Sequence, residues 1–249
     1  MTLSFNELII LISIVFLASI VTAITGFGGG IVAMPIFLQF FPLKFINPLY
    51  NIVYFINNLI LFRPSKIKLN WKLLTGLLIG NIIGALLGAY ILKQFNNPII
   101  IKVLALFIIT WEIKTLIEIL TKKELDKLKL TTKNFTNVIA GGISGIMSAV
   151  LGIGGPPLVI YLKNTIKDKE LMRSTLIGFF TFNGLIQITA FGINGLLTID
   201  MFKYALITVP FLFLGNWLGS LISNKLPQKY YQIVVSILLI VSGILLLIK

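Results

Sequence analysis

Two glycine runs interrupt apolar stretches of membrane length, and they constrain this chain more than any other feature. The first reads Gly26-Phe27-Gly28-Gly29-Gly30 and the second Gly152-Ile153-Gly154-Gly155-Pro156-Pro157. Glycine costs about 1 kcal/mol against alanine in a helix interior, so such runs stop a helix. Consecutive prolines remove two backbone donors and favour a helix start. In a bilayer, broken backbone persists only where protein or a water-filled cavity satisfies its polar groups. Each break is therefore a packing device or a binding site.

That argument presupposes a membrane, and composition supplies it. Of 249 residues, 57% are apolar and 12% charged, with mean hydropathy +1.00. A soluble domain averages about 25% charged residues, so the chain reads as an integral membrane protein whose first partner is the lipid bilayer. It contains no Cys and no His. That excludes thiolate chemistry, Cys/His zinc sites and His-based acid–base work. No metal site, no cofactor and no catalytic residue is expected, and the protein does not read as an enzyme. The net charge of +13 fits Lys and Arg gathered in cytoplasmic loops better than a nucleic-acid partner. Met1–Glu7 carries no basic residue, so the first apolar run is expected to stay in the mature fold.

Apolar segments run Leu8–Phe41, Pro48–Phe62, Leu73–Leu92, Pro98–Leu120, Phe135–Leu162, Ser174–Leu197, Tyr204–Leu226 and Tyr230–Ile248. Most approach the roughly 20 residues of a spanning helix. Leu8–Phe41 would be about 51 Å long as one helix, too long for one span and too short for two. The polar stretch Thr121–Asn134 divides the chain near its middle. Around it lie a first transmembrane repeat (1–121), a cytoplasmic linker (122–134) and a second repeat (135–249). Gly26, Gly28 and Gly29 match Gly152, Gly154 and Gly155 at an offset of 126, as Asn57 matches Asn183. Gly80, Asn81 and Gly84 match Gly215, Asn216 and Gly219 at an offset of 135. The expected fold is an all-α bundle of two repeats, each with a glycine-broken discontinuous or re-entrant helix.

Charge placement bears on how the broken segments cross. As simple spans, they divide 21 Lys and Arg into 12 and 9. As hairpins, they leave Lys44, Lys93, Lys102, Lys203 and Lys249 on one side and 16 on the other, the positive-inside pattern. Hairpins make the repeats inverted, place both termini outside and make the linker cytoplasmic.

The stretches Gly26–Pro35 and Gly152–Tyr161 resemble the paired signatures of the TauE/SafE sulfite exporter family, and the resemblance extends over the whole chain. It implies a multi-pass inner-membrane permease for sulfite or small organosulfur anions. The residues support an anion site on physical grounds. A half-helix starting after each break presents free backbone N–H groups and about +0.5 of a charge. Inverted repeats would aim two such ends at one point, as broken-helix transporters do.

The candidate substrate-binding residues are Gly26, Gly28, Gly29, Gly30, Asn57, Gly152, Gly154, Gly155, Pro156 and Asn183. The two asparagines are polar groups in equivalent mid-span places, where function and interhelical bonding compete evenly. Gly76, Gly80, Gly84 and Gly88, four apart, read as a packing face, and so do Gly215 and Gly219. Tyr161 has the place of an interfacial anchor. Glu112 reads as a snorkelling acid beside Lys114, so no coupling residue is named. A non-transporting assembly subunit, or a carrier of another small anion, is the competing reading. Homodimer formation stays open.

Overall fold

The computed structural model describes residues 3–62, 69–94, 134–166 and 169–223, with single helical positions between 102 and 121 and at 240 and 244. These residues form eight helices: α1 (Phe5–Thr25), α2 (Gly29–Phe40), α3 (Leu43–Leu61), α4 (Trp71–Gln94), α5 (Asn134–Leu151), α6 (Gly155–Thr165), α7 (Lys169–Ile193) and α8 (Ile199–Ser223). Among them α1, α4, α7 and α8 are long and apolar enough to cross a membrane. The expected spans Pro98–Leu120 and Tyr230–Ile248, and the linker, fall mostly outside the described residues.

The two anomalous segments each resolve into a pair of helices. Ser4 starts α1 through a capping box with Glu7, and α1 ends at Gly26 in the left-handed region (φ 80°). α2 then sets out beside the last turns of α1: a methyl on Gly29 would meet the Thr22 hydroxyl, and the Ala18 carbonyl at 3.0 Å. The second break repeats the arrangement, with Gly152 at φ 69° and Gly154 against Ser144 and Ser148 of α5. With 12 and 11 residues, α2 and α6 are about 18 and 16 Å long, well short of a 30 Å hydrocarbon layer. The segment expected to start at Pro48 begins earlier, at Leu43, and Pro48 lies inside the helix, where it leaves one intrahelical hydrogen bond unmade.

Packing runs crosswise between the halves of the chain. α4 lies along α5 and α1 along α8, while α3 touches α7 and α8. Small residues make these approaches. A methyl on Gly80 or Gly84 would strike the Val138 or Gly142 carbonyl of α5, and one on Gly215 would strike Ser19 of α1. Lipid tails are as apolar as leucine, so such close backbone contact, rather than hydrophobic exclusion, holds the pairs together. The outward faces of α4 and α8 carry Ile79, Ile83, Leu87, Leu206, Leu214 and Trp217 in exposed positions, suited to lipid.

Candidate functional site

The fold brings the two breaks into contact. A methyl on Gly30 would run into the carbonyl of Gly152, and one on Gly155 would sit 3.2 Å from the Phe27 ring. Between them lies a crevice lined by Gly28, Gly30, Gly152, Gly154 and Gly155. Tyr54 and Phe180 close it, their rings edge to face with centroids 5.8 Å apart. It has room for about one water. A narrower crevice on the other side of Tyr54 is lined by Asn57, Ser19 and Tyr50.

The helix ends at the breaks are finished by side chains from neighbouring helices. The Arg173 Nη2 of α7 donates to the carbonyl of Ala23 at 2.8 Å, and its Cγ lies 3.0 Å from where a Gly26 methyl would stand. Asn47 of α3 does the same at the second break. Its Nδ2 donates to the carbonyl of Ala149 at 2.6 Å, and its Oδ1 lies 3.0 Å from a Gly152 methyl position. Asn51 holds Asn47 in place by donating to its Oδ1 at 2.8 Å. Ser144 Oγ donates to the carbonyl of Gly154 at 2.7 Å.

The helix starts differ. α2 opens with Gly29, Gly30 and Ile31, whose N–H groups have no acceptor within the helix. α6 opens with Gly155 followed by Pro156 and Pro157, so only one of those three positions carries a donor. Gly154 itself has φ −89°, so it is confined by Ser148 and Ser144 rather than by a left-handed backbone.

The asparagines pair across the halves. Asn216 Nδ2 donates to Asn57 Oδ1 at 2.9 Å, and Asn81 Nδ2 donates to Asn183 Oδ1 at 2.8 Å. At the second pair the amide orientations follow from one fixed acceptor. The Gly145 carbonyl can only accept, so Gln187 presents Nε2 to it at 2.9 Å. The same Nε2 lies 3.3 Å from Asn183, which must therefore present its oxygen, and Asn81 its nitrogen. Asn81 and Gln187 are left with buried oxygens that have no partner among the described residues.

Of the expected site residues, Gly28, Gly30, Gly152, Gly154 and Gly155 line the shared crevice. Gly26 stands beside it under Arg173, while Gly29 faces Thr22 and the Tyr50 hydroxyl. Pro156 is buried and offers no N–H. Asn57 reaches the neighbouring crevice, whereas Asn183 is held in the Asn81–Gln187 network and lines neither. Tyr161 is buried rather than interfacial: its hydroxyl bonds Asn137 of α5. Arg173 is absent from the residues the sequence pointed to, because it sits 18 residues beyond Gly155 and arrives from another helix. The available signal was its offset of 126 from Asn47.

The model of the sulfite exporter TauE/SafE family matches residues 11–246. A protein of Methanocaldococcus jannaschii described as a probable membrane transporter protein is 25% identical over 257 aligned positions, covering 96% of this chain and 94% of that one. No solved structure matches. With nearly its whole length matched by the family model, the chain belongs to the sulfite exporter TauE/SafE family of membrane transporters.

Proposed function

We propose that the protein is a secondary transporter of the inner membrane that moves sulfite or a small organosulfur anion. In this reading two inverted repeats, 1–121 and 135–249, each contribute a glycine-broken hairpin, and the hairpins hold the anion between them near the midplane. The observation that carries the proposal is the contact of Gly30 with Gly152, backbone to backbone, at a crevice whose walls are mostly glycine. Glycine leaves amides open to a ligand, and an anion leaving water needs replacement donors. The crosswise pairs Asn81–Asn183 and Asn216–Asn57 support a two-fold relation between the repeats, since replacing each residue by its counterpart in the other half turns one pair into the other.

The crevice admits about one water, so a sulfite-sized anion enters only when its walls part. Tyr54 and Phe180 both line the crevice, so separation of their rings would widen it. The test is flux into liposomes with sulfite, sulfonates, sulfate and thiosulfate, with and without a pH gradient. Saturable sulfite or sulfonate flux is expected; flux of another anion alone would move the substrate class, and none at all would sink the reading. Orientation is tested separately in this Cys-free background. Cysteines at Thr131 and Asn164 should both resist a reagent applied from outside, and labelling at Asn164 together with protection at Thr131 would overturn the hairpins.

A further inference from the structure

Arg173 and Asn47 stand 126 positions apart and do the same two jobs. Each caps the last turn of a helix, on Ala23 and Ala149, themselves 126 apart. Each also packs on the glycine that ends that helix, Gly26 or Gly152. The second break shows that a neutral amide suffices for both jobs. The permanent positive charge of Arg173 is therefore not explained by capping.

Its surroundings give that charge a use. Arg173 is exposed and stands at the very start of the candidate span Leu171–Ile193, the end of α7 that an anion at the membrane edge would meet first. Gly26, on which its stem lies, is two residues from Gly28, which lines the crevice. The same break opens the helix that offers three free amides rather than one. A guanidinium has five N–H donors and Ala23 engages one, leaving the planar fork that matches a trigonal or tetrahedral oxyanion.

We propose that Arg173 is the anion-capture residue of this transporter, drawing a sulfite-class oxyanion to the first break from one side of the membrane, with Asn47 its uncharged counterpart at the second. The inference rests on the proposed function for its ligand, but it makes a separate claim about affinity and salt. Equilibrium sulfite binding to purified protein, measured at low and high salt, separates the two. Arg173→Asn keeps a cap donor of the kind the second break uses, and should weaken binding at least tenfold at low salt, about 1.4 kcal/mol. Its remaining affinity should respond little to salt, whereas wild-type affinity should fall as salt rises. Arg173→Lys, which keeps the charge but not the fork, should recover part of the loss.

Melting temperature shows whether each variant is folded. Should Arg173→Asn not fold, Arg173→Gln and Arg173→Lys carry the same comparison. Wild-type affinity and salt response in the neutral variants would reduce Arg173 to a cap and overturn the inference. Binding without liposome flux would overturn the transport reading and leave the capture role standing. Absence of any binding by the wild type would remove both.

Discussion

The two breaks hold equivalent places in the chain, yet different chemistry finishes them. At the first, Gly26 and Gly28 are both left-handed, α2 opens on three amides, and a cation caps α1. At the second only Gly152 is left-handed, α6 opens on one amide ahead of two prolines, and the neutral Asn47 caps α5. The first break presents donors and charge. The second has fewer donors, and its left-handed Gly152 is pressed by Met34 and Asn47 where Gly28 at the first has open room. Similar glycine spelling fixes where the chain breaks; the neighbours decide what the break offers.

The largest effect is expected where the breaks touch. Gly30→Ala drives a methyl into the Gly152 carbonyl, which belongs to the backbone and has no rotamer to escape into. Overpacking of this kind costs about 1–3 kcal/mol or more, so sulfite flux should fall to background and the melting temperature should drop. Near-normal values for both would show that the breaks can part without loss.

Next comes the contrast between Gly152→Ala and Gly28→Ala. Both place alanine at positive φ, which costs about 1–2 kcal/mol. Only at Gly152 does the methyl also meet Met34 Cγ, at 2.7 Å; at Gly28 nothing stands closer than 3.6 Å. Chemical denaturation in detergent should find Gly152→Ala the more damaging by about 1–3 kcal/mol. Equal losses would mean that Met34 moves aside from Gly152 at no cost.

A smaller difference should separate the crosswise asparagine pairs. Asn216→Leu leaves Asn57 Oδ1 without its donor, whereas after Asn81→Leu the Asn183 oxygen still has Gln187 Nε2 at 3.3 Å. The first variant should be less stable by about 1 kcal/mol. A reversed order would contradict the amide orientations assigned around Gly145.

The smallest effect is a gain. Pro156→Ala adds an N–H to the opening turn of α6 and makes the second break more like the first. Sulfite should bind about threefold more tightly, about 0.6 kcal/mol, in an equilibrium titration. Unchanged binding would indicate that this turn does not face the anion.

Much of this was legible from residue type and spacing alone. Helix interruption at Gly26–Gly30 and Gly152–Pro157 follows from backbone entropy and missing donors, which are local properties. The all-helical class, membrane insertion and packing faces such as Gly76–Gly88 follow from hydropathy and small-residue spacing, and TauE/SafE membership was readable in the two signatures. The use of Asn57 and Asn183 was not legible. A polar residue at mid-span can face a path or bond a neighbour, and that choice rests on which helix lies opposite.

By itself, then, the sequence determined where helices stop, which surfaces tolerate lipid and where the glycine spelling recurs 126 positions on. Only the tertiary structure decided that Gly30 meets Gly152, that Asn81 finds Asn183, and that Arg173 and Asn47 cap the helices at opposite breaks. Propensity and hydropathy act over a few turns of one chain segment, whereas these contacts join residues 102 to 150 positions apart and exist only once helices from both halves have packed.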